Sequence, residues 1–209
     1  AAGNLKFISK YGVGLDKIDL DAAKELGIPV TNCPGVNQIA VAEHVLAMIF
    51  SFFKNIHLSH EITSQGGWKR PLGNELFGKK IGIIGLGAIG KELAKRTPFL
   101  GLETYVFDVN LDFDFIREKE LTALESVKEI FETCDIVSLH VPLLESTKGL
   151  ISEKLLNESA KPGLVLVNTS RAGLIGEREV LDAIQRGKLG GYLTDVLSVE
   201  PMDESCLIR

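Results

Sequence analysis

The sequence predicts an α/β fold: a doubly wound parallel sheet with helices on both faces, carrying a small remnant of a second, flanking unit. Three observations point there. From residue 80 onward, short apolar runs alternate with amphipathic stretches. Those runs are apolar throughout rather than at every second residue, as strands covered on both faces require. The first third has a different texture, with two short strand candidates around one helix.

Taken in order, "LKFISKYGVG" reads as a strand entering a glycine turn, "DLDAAKELGI" as a short helix and "IPVTN" as a strand. Two strands and a helix cannot close a core alone. Residues 1–33 therefore read as a piece of another domain and 34–209 as the main domain, with the boundary near "NCPG". "VNQIAVAEHVLAMIFSFFKNIHLSHEITSQGG" is predicted as one long helix. Its apolar residues cover more than one stripe, so it is buried inside the domain or also meets a second subunit.

Then the rhythm begins. "KIGIIG" is a strand, "AIGKELAKRT" a helix, "ETYVFD" a strand, "LESVKEIFETC" a helix and "DIVSLHVP" a strand. "SEKLLNES" is a helix opened by Ser152 as N-cap, and "GLVLVNTS" a strand. "EREVLDAIQRG" is a helix closed by Gly187, and "LGGYLTDV" a strand.

With 45% hydrophobic and 24% charged residues, the composition is ordinary for a globular chain long enough to bury a core. The net charge of −5 offers no attraction to nucleic acid or an anionic membrane, so neither is expected as a partner. Cys33, Cys134 and Cys206 are odd in number and widely spaced, which suits reduced thiols in a cytoplasmic protein. No signal peptide is evident, and "VAEHVLAMIFSFF" is too short and too interrupted by Glu43 and His44 to span a membrane. No metal site is expected.

The strongest local motif is "GLGAIG", from Gly85 through Gly87, Ala88 and Ile89 to Gly90. It follows a strand and opens a helix, as a dinucleotide-binding turn of the Rossmann type requires. Gly85 permits the tight turn, Gly87 lets a pyrophosphate approach the backbone, and Gly90 lets the helix pack closely on the sheet. Asp108, eighteen residues after Gly90, ends the next strand. A carboxylate there can accept hydrogen bonds from ribose hydroxyls and would repel a 2′-phosphate, which favours NAD over NADP. A purely structural glycine turn with a strand-end Asp is the competing reading.

Ligands of such sheets bind outside the carboxyl ends of the strands. The polar residues there are His140 with Val141 and Pro142, then Thr169, Ser170 and Arg171, then Asp195. Arg171 could pair bidentately with a substrate carboxylate. From position alone, a surface arginine capping the sheet edge accounts for it equally well.

In order and spacing, "YGVGLDKIDL", "VAEHVLAMI", "GGW", "ELFGKKIGIIGLGAIGKELA", "HVPLLESTKGLI", "VNTSRAGLI" and "TDVLSVEP" resemble the D-2-hydroxyacid dehydrogenases, including their phosphoglycerate and glycerate (hydroxypyruvate) branches. The resemblance runs through essentially the whole chain. It implies an NAD-dependent oxidoreductase that moves a hydride between C2 of a small 2-hydroxy or 2-keto acid and the nicotinamide. By the same resemblance Arg171 binds substrate, Glu200 orients the catalytic histidine, and Asp195 faces the nicotinamide carboxamide. The backbone of Val13 and Gly14 holds the substrate carboxylate, while 140–142 and 169–171 line the cofactor. Residues 1–33 become a remnant of the substrate domain, and the long helix becomes the seam of a homodimer.

The chemistry fits these residue types. The proton lost from the hydroxyl needs a base with a pKa of about 7, and histidine is the usual choice. The resemblance places that histidine in a Pro-His motif beyond Arg209. His44, His57, His60 and His140 are poor substitutes: His44 is expected packed or at an interface, His57 and His60 solvated, and His140 beside the cofactor. The chain is therefore expected to bind NAD and turn over slowly or not at all. One departure from the family pattern is Gly176, where many relatives carry Asp; it affects a helix cap, which Glu177 can still favour. The alternative function is a non-catalytic NAD(H)-sensing protein of the same fold, like the corepressors. A pure binding module has no need of both Arg171 and Glu200, although some corepressors keep them.

Overall fold

The computed structural model describes residues 3–204, 206 and 207; residues 1, 2, 205, 208 and 209, at the margins of both expected domains, lie outside the described set. Two sheets are present. A parallel pair, β1 (Ile8–Ser9) and β2 (Val30–Thr31), flanks α1 (Leu20–Glu25). Asp19 caps that helix by accepting the Ala22 N–H at 2.9 Å. Among residues 3–37 only Ala23 is fully buried, so this unit has no core of its own.

The main sheet holds β3 (Lys80–Ile84), β4 (Glu103–Phe107), β5 (Thr122–Ala123), β6 (Ile136–Leu139), β7 (Leu164–Asn168) and β8 (Leu189–Thr194). Their order is β5-β4-β3-β6-β7-β8, and every pairing is parallel. Strand order reverses between β3 and β6, which opens a crevice outside their carboxyl ends. All residues of β6 and β7 are buried, the polar Ser138 and Asn168 included.

Alternation along the strands divides the core in two. Ile81, Ile83, Ile136, Val165 and Val167 point to one face, against α2 (Gln38–Phe53) and α4 (Ala88–Ala94). Ile84, Val137, Leu139, Leu164 and Leu166 point to the other, against α6 (Val127–Thr133), α7 (Glu153–Ser159) and α8 (Glu177–Gln185). Each fully buried aliphatic side chain contributes roughly 1.5–3 kcal/mol, and these two layers fix the strand ends that carry the polar residues.

Ser152 caps α7 through the Leu155 N–H at 3.2 Å, and Gly187 closes α8 at φ +70°. The expected single long helix is instead two: α2 ends at Phe53, and α3 (Ile56–Ser64) leaves at a bend of 63°. Asn55 makes the break by adopting φ +52°, a left-handed conformation that asparagine tolerates better than most residues. Its Nδ2 then donates to the Leu72 carbonyl at 2.7 Å, tying the break to the following loop. Among the described residues no single helix is long and apolar enough to cross a membrane; α2 and α3 reach that length and composition only as a bent pair. Two short elements at the sheet edge, α5 (Phe113–Glu118) and β5, are absent from the sequence expectation.

Candidate functional site

At the crevice, the glycine turn has the geometry its sequence implies. Gly85 sits at φ +99°, and a Cβ there would lie 2.6 Å from the His140 carbonyl oxygen. At Gly90 a Cβ would lie 2.0 Å from the Gly85 carbonyl oxygen, so only glycine lets α4 approach β3 this closely. A Cβ at Gly87 would meet nothing within 4 Å, and Gly87 and Ala88 are exposed while Ile89 is half-buried. The turn thus presents open backbone at its centre and closed packing at both ends.

Asp108 follows β4 directly. Its Oδ2 accepts the Leu86 N–H at 2.6 Å and its Oδ1 the Asn110 N–H at 2.9 Å. The carboxylate stands over the turn, with lone pairs left for a diol.

His140 continues β6, its N–H donating to the Ile84 carbonyl at 2.7 Å. Nε2 lies 2.9 Å from Ser138 Oγ, whereas Nδ1 is shut off from solvent without a polar partner. The residue as a whole keeps some exposed surface, but burial of the ring pushes its pKa down to about 4. Thr169 Oγ1 is likewise buried and unpartnered. Both atoms sit just past the carboxyl ends of the adjacent strands β6 and β7, the edge at which such sheets hold polar ligands such as a dinucleotide. Val141 is half-buried and Pro142 exposed; the Pro142 carbonyl accepts from Thr147 Oγ1 at 2.6 Å, which pins the loop.

Asn168 organises the next loop, and sequence reasoning missed it. Fully buried at the end of β7, it donates from Nδ2 to the Arg171 carbonyl at 2.9 Å and to Tyr192 Oη at 3.2 Å. Its Oδ1 accepts the Ser170 N–H at 3.1 Å. Ser170 Oγ donates to the Leu139 carbonyl at 2.7 Å, stitching the loop to β6. The available signal was a single amide ending an otherwise apolar strand, "LVLVN".

A cleft of about 1060 Å³ gathers Lys10, Gly14, Asp16, Arg171, Glu177 and Glu200 among its walls. It lies between the small β1–β2 unit and the loops after β7 and β8. Arg171 Nη1 donates to the Ser170 carbonyl at 2.7 Å, while Nε and Nη2 donate to the Asp16 carboxylate at 2.9 and 3.1 Å. A Cβ at Gly14 would lie 2.1 Å from Arg171 Nη2, so the glycine lets the two segments touch. The Val13 carbonyl accepts from Asn32 Nδ2 at 2.7 Å, which holds the loop. Of the sequence-derived residues, Gly14, Arg171 and Glu200 share this cleft; the glycine turn, Asp108, His140, Thr169 and Asp195 are not among its walls.

Glu200 is exposed, and its Oε1 accepts the Leu197 N–H at 3.1 Å. Asp195 lies one residue past β8, with Oδ2 3.6 Å from His44 Nε2. His44 is thus neither packed nor buried but half-exposed on α2, aimed at the carboxylate after β8, because its side of the helix turns away from the apolar stripe of Ala42, Val45 and Ile49. His57 and His60 are exposed on α3, a separate helix from the one expected to carry them. None of the four histidines hydrogen-bonds Glu200 among the described residues.

Glu177, expected only to favour a helix N-terminus, does more. Its Oε1 takes the Ser198 N–H at 3.0 Å and the Ser198 hydroxyl at 2.5 Å, and its Oε2 takes the Leu207 N–H at 3.3 Å. The Ser198 contact holds its pKa below the ordinary carboxylate value. Gly176, at the N-cap, makes no side-chain cap bond.

Residues 46–209 match the family described as D-isomer specific 2-hydroxyacid dehydrogenase, NAD binding domain. The chain is 36% identical over 207 residues to D-3-phosphoglycerate dehydrogenase of Bacillus subtilis, covering 98% of this chain and 39% of that protein. It is 35% identical over 208 residues to hydroxypyruvate reductase of Thermotoga maritima, covering 96% of this chain and 65% of that protein. Thus the chain spans less than two thirds of either curated relative. Among solved structures, it superposes on D-lactate dehydrogenase of Aquifex aeolicus complexed with NAD and lactic acid at a TM-score of 0.83 and 33% identity, covering 93% of this chain and 58% of that one. A Granulicella formate dehydrogenase superposes at 0.89 and 31% identity, covering 96% of this chain and 55% of that one.

Proposed function

Since the chain belongs to the D-isomer specific 2-hydroxyacid dehydrogenase family and carries its NAD-binding domain, we propose that it serves the NAD-dependent interconversion of a small D-2-hydroxy acid and its 2-keto acid. The observation that carries the reading is the meeting of Arg171 with the Gly14 loop, 157 residues away in sequence, in a cleft that Glu200 also lines. A guanidinium beside backbone N–H groups is suited to a substrate carboxylate.

Bound NAD supplies the hydride acceptor at C4 of its nicotinamide. The residues of the chain do the rest. The backbone of Gly85, Gly87, Ala88, Ile89 and Gly90 cradles the pyrophosphate, and Asp108 takes the ribose hydroxyls and repels a 2′-phosphate. His140, Val141, Pro142, Thr169 and Ser170 line the cofactor and exclude water, with Thr169 Oγ1 and His140 Nδ1 gaining the partners they lack. Asp195 faces the carboxamide. Val13, Gly14 and Arg171 hold the substrate carboxylate, and Arg171 polarises the C2 oxygen during reduction. Glu200 is the carboxylate that orients a histidine base. His140, held neutral by burial and with Nε2 against Ser138 Oγ, is not the base that Glu200 would orient.

The two sheets suit a division into a part belonging to the substrate domain, 1–33, and a nucleotide domain, 34–209. Exposed Ile56, Trp68, Leu72 and Phe77 around α3 support a homodimer, checkable by light scattering. Cys33 and Cys134, far apart and both present as thiols, support a cytoplasmic location. The NAD(H)-sensing alternative gains no support from a guanidinium poised for a carboxylate. NADH fluorescence titration, with and without a 2-keto acid and with Arg171→Ala, tests the reading. NADH binding that survives in the variant while the keto-acid response disappears supports it; an unchanged keto-acid response sinks it.

A further inference from the structure

Resting on the reading of Arg171 as the group that holds the substrate carboxylate, we propose that Asp16 is the residue that positions it. A guanidinium has five N–H donors on three nitrogens. In Arg171, Nε lies 2.9 Å and Nη2 2.8 Å from Asp16 Oδ2, Nη2 lies 3.1 Å from Oδ1, and Nη1 donates to the Ser170 carbonyl at 2.7 Å. With Asp16 taking the Nε side, the outer edge formed by the two Nη groups is the edge left for an incoming carboxylate.

Asp16 and Ser170 therefore select the edge that the arginine shows to the cleft. Without Asp16 the side chain, more than a third exposed, rotates among its rotamers, and ordering it falls to the substrate. The contact also joins parts of the chain 155 residues apart, so that edge is set only when the β1–β2 unit is seated against the main sheet. Gly14 supports this seating: Asp16 Oδ2 and Arg171 Nη2 would lie 3.2 and 2.1 Å from a Cβ there. The rival role on the same geometry has the Asp16 carboxylate competing against the substrate for the guanidinium. The two roles predict opposite signs.

The test uses the whole chain saturated with NADH and titrated with oxalate, a non-reacting mimic of a 2-keto acid, followed by NADH fluorescence. Asp16→Ala is expected to weaken oxalate binding about ten-fold through lost preorganisation, with NADH affinity and Tm unchanged. Asp16→Asn, which keeps one acceptor oxygen, is expected to fall between parent and Asp16→Ala. Oxalate binding that tightens or stays constant in Asp16→Ala overturns the proposal, as does a loss matched by equal losses in NADH affinity and Tm. If the parent takes no oxalate, or Arg171→Ala takes it as well as the parent, the reading of Arg171 fails first and takes this one with it.

Discussion

Asp108 Oδ2 takes the backbone N–H of Leu86 at 2.6 Å, fastening the acid that follows β4 to the glycine turn that follows β3. One carboxylate thus serves the turn and, in the proposed reading, the ribose hydroxyls. Asp108→Ala is expected to weaken NADH binding by about ten-fold or more, because it removes acceptors and loosens the turn together. Asp108→Asn keeps an acceptor for Leu86 and removes the charge, so NADPH is expected to gain on NADH. Parallel titrations with both nucleotides measure this, and an unchanged preference in Asp108→Asn removes charge from the explanation.

Gly90 and Gly87 separate packing from ligand binding. A methyl at Gly90 meets the Gly85 carbonyl oxygen at 2.0 Å and Ile83 Cγ2 at 3.3 Å, and the nearer atom is backbone that cannot swing aside. Gly90→Ala is expected to cost about 1–3 kcal/mol of stability or more by prising α4 from the sheet. Gly87→Ala points into open space, so its stability is expected within about 0.5 kcal/mol of the parent while NADH binding drops. Thermal melts and NADH titrations on both variants decide it; a Gly87→Ala chain that binds NADH normally contradicts the pyrophosphate placement.

The strands and the turn were legible because their signals are local. β3, β6 and β7 are mostly apolar because both faces are covered, and "GLGAIG" carries its geometry in three glycines within six residues. The helix break was not legible, since apolar spacing runs straight through Lys54 and Asn55, and it is the tertiary anchor on Leu72 that favours the left-handed Asn55. The edge elements α5 and β5 are too short for periodicity to register. The partnerships of Arg171 with Asp16 and of His44 with Asp195 join distant segments, and no spacing rule reaches across that separation. Glu177 looked like a dipole-stabilising acid because its actual partners, Ser198 and Leu207, lie in a different segment.

His140 should make the fold acid-sensitive in a defined window. Its pKa falls from 6.5 to about 4 because burial disfavours the imidazolium. Between those values the unfolded chain binds a proton that the native chain refuses. Stability is therefore full above 6.5 and falls as pH drops, with up to on the order of 3 kcal/mol lost once pH is below about 4. His140→Gln, which cannot titrate, is expected to flatten that part of the profile. Urea melts from pH 7 down to 4 give the slopes, and parallel profiles for parent and variant would place the acid sensitivity elsewhere.

Glu177 holds the segment that carries Glu200. Its carboxylate binds the N–H groups of Ser198 and Leu207 from the first turn of α8, and Leu197, beside Ser198, donates its own N–H to Glu200. Glu177→Ala is expected to release the segment as a unit, with amide exchange at Ser198 and Leu207 accelerating and little change in the central strands. Hydrogen bonds to a charged acceptor are worth about 1.5–3 kcal/mol when well made, so the local protection lost should approach ten-fold or more despite partial exposure. Because the Ser198 contact lowers the Glu177 pKa from 4.5, the stabilisation is complete above that value and disappears as pH falls through the lower folded value. Glu177→Gln should resemble the parent at acid pH, where both side chains are neutral, and differ from it at neutral pH. Exchange rates at Ser198 that are the same for all three chains at pH 7 would show that the segment is held by other contacts.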